Sequence, residues 1–204
     1  AADRPRMAQA FAMLGSSITI VERGDELARL EDPVIRQIVH DNFAQLGITI
    51  KTNATIESIT EETTALFNRE NGETFTTEFD KALIAIGRVP VFPAGLDAAT
   101  IIYDSGGIQV DSQYRTSNKY VYAVGDVAQQ LKFTHTADDA ARQVVARVVS
   151  RGFLRVNTNK AVPKVTYTQP EIAQVGMLEE EALAKYGPER IMRIDVPYTL
   201  SDRA

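Results

Sequence analysis

The feature that most constrains the fold is a repeated order of helix, glycine and short apolar strand in the first quarter of the chain. Residues 7–14 (MAQAFAML) are rich in helix formers and are followed by a glycine and by the strand-like residues 17–21 (SITIV). Asp32, with a proline behind it, predicts the start of a second helix, which ends at Gly47 before a candidate strand over 48–51. Helices that alternate with short apolar strands predict an α/β fold with parallel strands.

A different pattern covers residues 54–79, where apolar residues and threonines alternate with polar ones. Asn71-Gly72 is a strong hairpin signal, so this stretch predicts an inserted antiparallel β-meander. Residues 81–86 (KALIAI) and 120–124 (YVYAV) each predict a buried strand that ends at a glycine. A long helix is predicted from about residue 135 to 150, and the rest of the chain contains a strand-like stretch over 165–168 (VTYT) and a helical stretch over 178–187 (LEEEALAKYG).

Composition excludes several kinds of chemistry. The 204 residues contain no cysteine and only two histidines, which excludes disulfides and thiol nucleophiles and disfavours a metal site. We therefore predict no metal. The formal net charge of -5 argues against nucleic acid as a partner, because phosphate binding needs a basic surface. Without a long apolar run or a signal-peptide pattern, the expectation is a cytoplasmic protein with no membrane partner.

Glu22 directly follows the first predicted strand. In a dinucleotide-binding fold, an acidic residue at this place accepts hydrogen bonds from the ribose hydroxyls of the adenosine. A carboxylate also repels a 2′-phosphate, so Glu22 favours NAD over NADP. The alternative is a solvated glutamate at a strand end, and the neighbouring Arg23 could bind a phosphate, which keeps NADP as the less favoured cofactor.

Two further glycine-containing strand ends are candidate ligand contacts. Gly87 would let a ligand approach the backbone closely, although Gly-Arg-x-Pro also suits any exit from a strand. Asp126 follows the strand-like Tyr122-Ala-Val-Gly125 and can accept hydrogen bonds from polyol hydroxyls, although Asp after Gly is also a common turn pair. The long helix that begins near Thr134 and His135 would direct its first amides at the same place, which suits a developing negative charge.

Taken in order, these segments resemble the class I pyridine nucleotide-disulfide oxidoreductases, a family that includes dihydrolipoyl dehydrogenase, glutathione reductase and mercuric reductase. The similarity covers nearly the whole chain. It runs through four stretches: MAQAFAMLGSSITIVERGDELARLEDP, ALIAIGRVP, TSNKYVYAVGDVA and VPKVTYTQPEIAQVGMLEEEA. It implies a Rossmann-like NAD-binding domain with the inserted meander over 1–88, the C-terminal part of an FAD-binding domain over 89–157, and a truncated α+β dimerisation domain over 158–204.

The resemblance also implies cofactor-binding roles for individual residues. The adenosine ribose of NAD would be bound by Glu22, the adenine would lie near the backbone of Ile56, the nicotinamide-side cleft would be lined by Gly87, the ribityl chain of FAD would be bound by Asp126, and the flavin N1–O2 edge would face the amides near Thr134 and His135. The cofactors it implies are FAD and NAD.

Some parts of the family pattern are missing from this sequence. Counting back from Met7, the last two glycines of the family's Gly-rich turn fall at Ala1 and Arg4. The redox cysteines and the His-Glu acid/base pair have no counterparts, so we predict no catalytic residue in this chain. The expectation is a fragment of an FAD-dependent NAD(P)H oxidoreductase that acts on a small disulfide, thiol or metal substrate and is a homodimer when intact. The alternative is an inactive remnant or a nucleotide-binding module of the same family.

Overall fold

The computed structural model describes residues 3–29, 31–60, 63–68, 72–128, 132–155, 161–197 and 200. Within these residues, helices alternate with short strands, and two 3-10 turns follow later. The helices are α1 (Asp3–Met13), α2 (Pro33–Gln45), α3 (Thr134–Val149) and α4 (Glu179–Tyr186). The strands are β1 (Thr19–Val21), β2 (Thr49–Lys51), β3 (Ala54–Ile59), β4 (Thr63–Asn68), β5 (Thr74–Glu78), β6 (Tyr103–Asp104), β7 (Gly107–Ile108), β8 (Lys164–Thr166) and β9 (Ile172–Gln174). None of the helices in the described residues is long and apolar enough to cross a bilayer.

The chain divides into two compact units. One consists of the described residues within 3–83, 166–172 and 176–200, and we call it the β1–β2 unit. The other consists of the described residues within 84–165 and 173–175, and we call it the α3 unit. The three-domain division expected from the resemblance stays a prediction.

The β1–β2 unit is built on a parallel strand pair, as the helix–strand alternation predicts. β1 and β2 pair in register from Thr19 opposite Thr49 to Val21 opposite Lys51. The helix between them supplies the crossover that parallel strands require. α1 begins at Asp3, several residues before the predicted start at residue 7, because the arginines and proline of the first turn are compatible with a helical N-terminus.

Local capping explains where α2 begins and ends. The Asp32 carboxylate accepts a hydrogen bond from the backbone N–H of Val34 at 2.9 Å, and Pro33 occupies the first helical position. Both features are favoured at helix starts. Gly47, at φ +70°, lets the chain leave the helix, and the N–H of Ile48 donates to the carbonyl of Phe43 at 2.9 Å. The chain therefore enters β2 directly.

The core of the β1–β2 unit lies between its helices and the strand pair. The buried side chains are those of Ala8, Ile20, Leu27, Val39, Phe43 and Ile48. Leu27 and Phe43 are the largest fully buried side chains among the described residues. Burial of this apolar surface is the main stabilising contribution. It holds β1 in place, and with it the position of Glu22, the residue after β1.

A buried amide also joins α1 to α2 and to the segment after β8. The Gln9 side chain donates to Oδ1 of Asn42 and to the carbonyl of Gln169, both at 2.7 Å, and it accepts from the N–H of Gln169 at 2.6 Å. Burial of a polar side chain is tolerated because its donors and its acceptor are satisfied.

The expected antiparallel meander is confirmed. β3, β4 and β5 form a three-stranded antiparallel sheet in sequence order, with a bulge in β3 between Ile56 and Ser58. Gly72, at φ +75°, lies in the connection between β4 and β5. The other half of the predicted hairpin signal, Asn71, lies outside the described residues.

The α3 unit has its own small core, formed by Leu96, Ile101, Ile108 and Ala123. β6 and β7 form a short antiparallel hairpin beside it. The backbone of Gly107 comes so close to the turn after residue 124 that a Cβ there would lie 2.5 Å from the carbonyl oxygen of Val127. Only glycine allows this approach, which positions the turn that contains Asp126.

Two predicted buried strands are not formed. Residues 81–86 have no strand assignment, and Leu83, Ile84 and Ile86 are exposed. A strand needs a neighbour to pair with, and no strand of the described residues pairs with this segment. The prediction of a buried strand from this continuous apolar run is therefore wrong.

The segment 120–124 is also different from its prediction. Tyr122 makes only one isolated antiparallel bridge, to Arg115. The N–H of Val121 donates to the carbonyl of Asn118, and that of Ala123 donates to the carbonyl of Tyr114. These local bonds use backbone groups that a parallel ladder would need, so the segment is a loop with one bridge.

The last part of the chain contains β8 and β9, which pair with each other, followed by α4. The prediction of a strand at VTYT and of a helix at LEEEALAKYG is confirmed by β8 and α4; β9 was not predicted. The N–H of Leu178 donates to the Glu181 carboxylate at 2.9 Å, and three glutamates occupy the first turn of α4. Negative charge at this end of a helix is stabilising.

Candidate cofactor-binding sites

Glu22 lies at the carboxyl end of the parallel strand pair. It is the first residue after β1, and its N–H donates to the carbonyl of Lys51 at 2.9 Å, which continues the β1–β2 ladder by one bond. In open α/β sheets, ligands bind beyond the carboxyl ends of the strands. The expectation that Glu22 ends a parallel strand is therefore confirmed.

Both carboxylate oxygens of Glu22 have partners. Oε1 accepts from the backbone N–H of Gly24 at 2.9 Å, which holds the side chain over its own turn. Oε2 accepts from Nη1 of Arg4 at 2.5 Å, in an ion pair whose side chains are 27% exposed for Arg4 and 15% for Glu22. The carboxylate that the sequence analysis assigned to ribose is thus already bound to a cation of the same chain.

The start of β3 lies against the same turn. The N–H of Ala54 donates to the carbonyl of Glu22 at 3.1 Å, and the N–H of Asn53 donates to the carbonyl of Gly24 at 2.8 Å. Ile56, the residue expected near adenine, is two positions further along β3, and its side chain is exposed. The turn after β1 and the first half of β3 are therefore joined by backbone hydrogen bonds. We call Arg4, Glu22, Gly24 and Ile56 the Glu22 site.

Asp126 lies in a 3-10 turn, Gly125–Val127, and not at the end of a parallel strand. The prediction of such a strand is wrong for the reason given above. The Asp126 side chain is 54% exposed, and its Oδ2 lies 3.7 Å from Nη1 of Arg88. Gly125, at φ +79°, packs closely enough on α3 that a Cβ there would be 3.5 Å from that of Ala137. The turn and the first part of α3 are thus in contact.

Gly87 precedes Arg88, the residue that contacts the Asp126 turn. Arg88 approaches Asp126 as described, and the carbonyl of Arg88 accepts from Nζ of Lys132 at 3.0 Å. Gly87 itself is exposed at φ +147°, and a Cβ there would meet nothing within 4 Å. Gly87 and Asp126 are therefore connected through Arg88, which follows Gly87 in the chain and forms the ion pair with Asp126.

Thr134 and His135 form the first turn of α3, as predicted. Helix geometry leaves the first amides of this turn without intrahelical acceptors. The His135 ring is already engaged: Nε2 lies 2.8 Å from the carbonyl of Pro163, which requires a proton on that nitrogen, and the ring stacks on Phe133. The His135 imidazole therefore holds the start of α3 against Pro163 and Phe133. Of this residue, the backbone amide is the group that suits an anionic ligand.

Sequence reasoning missed the partners of the two carboxylates. Arg4 was noted as a bulky replacement for glycine, but not as a contact of Glu22; Arg88 was noted as part of a strand exit, but not as a contact of Asp126. The available signals were the arginine in the first turn of α1 for Glu22 and the arginine directly after Gly87 for Asp126. No group of three or more metal-ligating side chains occurs in the described part of the chain.

The fold and the position of Glu22 define a structural class of protein. A crossover helix between two parallel strands, with an acidic residue at their carboxyl end, is the arrangement of a Rossmann-type nucleotide-binding α/β protein. The family model for pyridine nucleotide-disulphide oxidoreductases matches residues 6–141. The chain belongs to the pyridine nucleotide-disulphide oxidoreductase family, whose members are FAD-dependent and use NAD(P)H.

Individual relatives agree with this assignment. The chain is 34% identical over 188 residues to a dihydrolipoyl dehydrogenase of Chlamydia pneumoniae, covering 91% of this chain and 40% of that protein. It is 28% identical over 183 residues to a mercuric reductase of Staphylococcus aureus, covering 88% and 33%. The HOCl-induced flavoprotein disulfide reductase RclA of Escherichia coli superposes with a TM-score of 0.79 at 28% identity, covering 91% and 43%. The chain thus spans between about a third and about two fifths of the length of these relatives.

Proposed function

We propose that this chain supplies the adenosine site for a pyridine nucleotide and one contact edge for FAD in an FAD-dependent oxidoreductase. The observation that carries the proposal is the position of Glu22: a carboxylate held by a backbone N–H at the carboxyl end of two parallel strands. A dinucleotide-binding fold uses such a carboxylate to bind ribose hydroxyls.

The adenosine site needs one rearrangement to accept a ribose. Among the described residues, each oxygen of Glu22 accepts one hydrogen bond, and a carboxylate oxygen can accept two. Ribose hydroxyls would therefore bind at the remaining lone pairs or displace Arg4 from Oε2. The exposed Ile56 side chain and the turn at Gly24 offer an apolar and a backbone surface beside that carboxylate.

The α3 unit fits a flavin-bearing ligand at its exposed carboxylate and helix start. Asp126 is half-exposed, so its carboxylate can accept hydrogen bonds from hydroxyls in addition to its contact with Arg88, and the adjacent helix start offers amide donors near Thr134 and His135. FAD, when bound, supplies a two-electron acceptor for the reduced nicotinamide. The contribution of this chain would be to hold the ribityl chain and to stabilise negative charge with the first amides of α3.

The complete protein would pass electrons from NAD(P)H through FAD to a small disulfide, thiol or metal substrate, and it would do so as a cytoplasmic homodimer. The names of the relatives, which include dihydrolipoyl dehydrogenase, mercuric reductase and flavoprotein disulfide reductase, support this part of the proposal. No thiol step is assigned to this chain, since it contains no cysteine.

Calorimetric titration of the chain tests the nucleotide part of the proposal. We expect NADPH or NADH to bind, and Glu22→Gln to change the affinity severalfold, because the charge that contacts the ribose is removed. Glu57→Gln is the matched control, because Glu57 is an exposed glutamate on β3, and it should leave binding unchanged. Equal effects of the two substitutions, or no binding of either nucleotide, would contradict the proposal.

A second titration tests the flavin edge. FAD fluorescence should change on binding, and Asp126→Asn should weaken that binding, whereas Asp97→Asn, at an exposed aspartate of the same unit, should not. Unaltered FAD binding by the Asp126 variant would remove Asp126 from the proposal.

The second candidate function is a remnant without cofactor binding. The observation in its favour is the Arg4–Glu22 ion pair, which occupies the carboxylate from within the chain. Loss of all nucleotide and flavin binding in the two titrations would support it.

A further inference from the structure

The charge of the Glu22 site differs from what its glutamate alone indicates. Glu22 contributes one negative charge, but Arg4 lies at 2.5 Å from its Oε2 and cancels it. Arg23, the next residue in the chain, is exposed and adds a positive charge. The three side chains together carry a net charge of about +1, which reverses the repulsion that a lone carboxylate exerts on a phosphate.

Arg4 has donors to spare. Its guanidinium has five N–H groups in a planar fork, and Nη1 is the one bonded to Glu22. The Arg4 side chain is 27% exposed, and the mostly buried Glu22 carboxylate fixes the orientation of its guanidinium. An arginine held in place by an acidic neighbour loses less entropy when it binds a second anion.

We propose that Arg4, oriented by Glu22, selects a pyridine nucleotide with a phosphate on the 2′-hydroxyl of its adenosine ribose. The inference rests on the proposed adenosine site. If the 3′-hydroxyl of the ribose donates to the Glu22 carboxylate, the phosphate on the neighbouring 2′-oxygen lies within reach of the guanidinium that shares this carboxylate, and Arg23 flanks the same turn. A phosphate there forms charge-assisted hydrogen bonds, which are stronger than those of a neutral hydroxyl. Glu22 then acts as a positioning residue for Arg4.

The test compares two small probes that differ only in the 2′-phosphate: 5′-AMP and adenosine 2′,5′-bisphosphate. Calorimetry on the full chain should give at least about tenfold tighter binding of the bisphosphate, as expected for one charge-assisted contact. Arg4→Ala should reduce this ratio to nearly one, while Arg4→Lys should keep part of it. Arg6→Ala is the matched control, because residues two apart on a helix do not share a face and Arg6 is exposed on α1.

Salt dependence gives a second measurement that needs no variant. The preference for the bisphosphate should shrink between about 20 mM and about 500 mM salt, because exposed charges are screened. Circular dichroism of each variant shows that it remains folded.

The outcomes separate the inference from the proposed function. Binding of both probes with equal affinity, or tighter binding of AMP that improves further in Arg4→Ala, would overturn the inference and leave the adenosine site intact, with Arg4 as its competitor. Binding of neither probe would overturn the proposed function and the inference with it. A preference for the bisphosphate that Arg6→Ala removes as fully as Arg4→Ala would also overturn the role of Arg4.

Discussion

Truncation of Phe43 to alanine should destabilise the β1–β2 unit more than any comparable change on α2. The ring is 1% exposed and packs in the core with Ile20 of β1 and with Ile48, the residue just before β2. Removing a buried aromatic ring costs about 3–5 kcal/mol, from lost burial and from the cavity that remains. Domains of this kind unfold with only about 5–15 kcal/mol, so the effect is a large fraction of the total.

Urea unfolding followed by far-UV circular dichroism measures this loss, since the chain has no tryptophan to report by fluorescence. Ile38→Ala is the matched control on the same helix, because the Ile38 side chain is 43% exposed. The control should lose less than about 1 kcal/mol, since alanine also has the better helix propensity.

The same substitution should reach the nucleotide site. Ile20 precedes the last residue of β1, and Glu22 follows that strand, so a cavity at Phe43 lets the strand end shift. We expect Phe43→Ala to weaken nucleotide binding even where it remains folded. A loss of stability within about 1 kcal/mol of the Ile38 control would refute the assignment of Phe43 to the centre of this core.

Three other changes test particular contacts. Asp32→Ala removes the N-cap of α2 and should cost about 1 kcal/mol, or about 2–4 °C in thermal melting, whereas Asp32→Asn should retain nearly all of the stability. Gly107→Ala should cost about 2–4 kcal/mol in urea unfolding, from positive φ and from the overlap with Val127, whereas Gly106→Ala should cost much less because φ is ordinary there and only a flexible carboxylate is near; equal losses would contradict the close approach. Burial raises the pKa of the Asp111 carboxyl. The hydrogen bonds from the backbone N–H groups of Arg115 and Gln113 and from the Arg115 side chain lower that pKa by more, so the pKa lies below its usual value. Its stabilising contribution is therefore present above about pH 4 and lost as pH falls through the lower folded pKa; Asp111→Asn should reduce the loss of stability between about pH 6 and about pH 3 relative to the original chain, and an unchanged pH dependence would argue against this contact.

Local signals predicted much of the β1–β2 unit. The N-cap at Asp32, the glycine after α2 and the alternation of helices with β-branched runs led to α2, β1 and β2, because each is decided within a few residues. The position of Glu22 at the end of β1 followed from the same reasoning.

Contacts between distant segments could not be predicted in this way. Whether residues 81–86 form a strand depends on a neighbour elsewhere in the chain, and a continuous apolar run carries no information about that neighbour. The same holds for Arg4 and Glu22: their pairing joins the first turn of α1 to the end of β1, and it was visible only when both were placed in space. The charge of the site therefore had to come from the structure.

The apolar segment without a strand partner has a practical consequence for handling the protein. Ile86, Val89 and Val91 are each more than four-fifths exposed, and these β-branched residues all lie within residues 86–91. An exposed apolar segment without a strand partner can pair with the backbone of another molecule. Association of this kind increases with protein concentration. Dilute samples at low temperature should therefore stay monodisperse, whereas concentrated samples should associate through residues 86–91 under conditions where the cores are still folded.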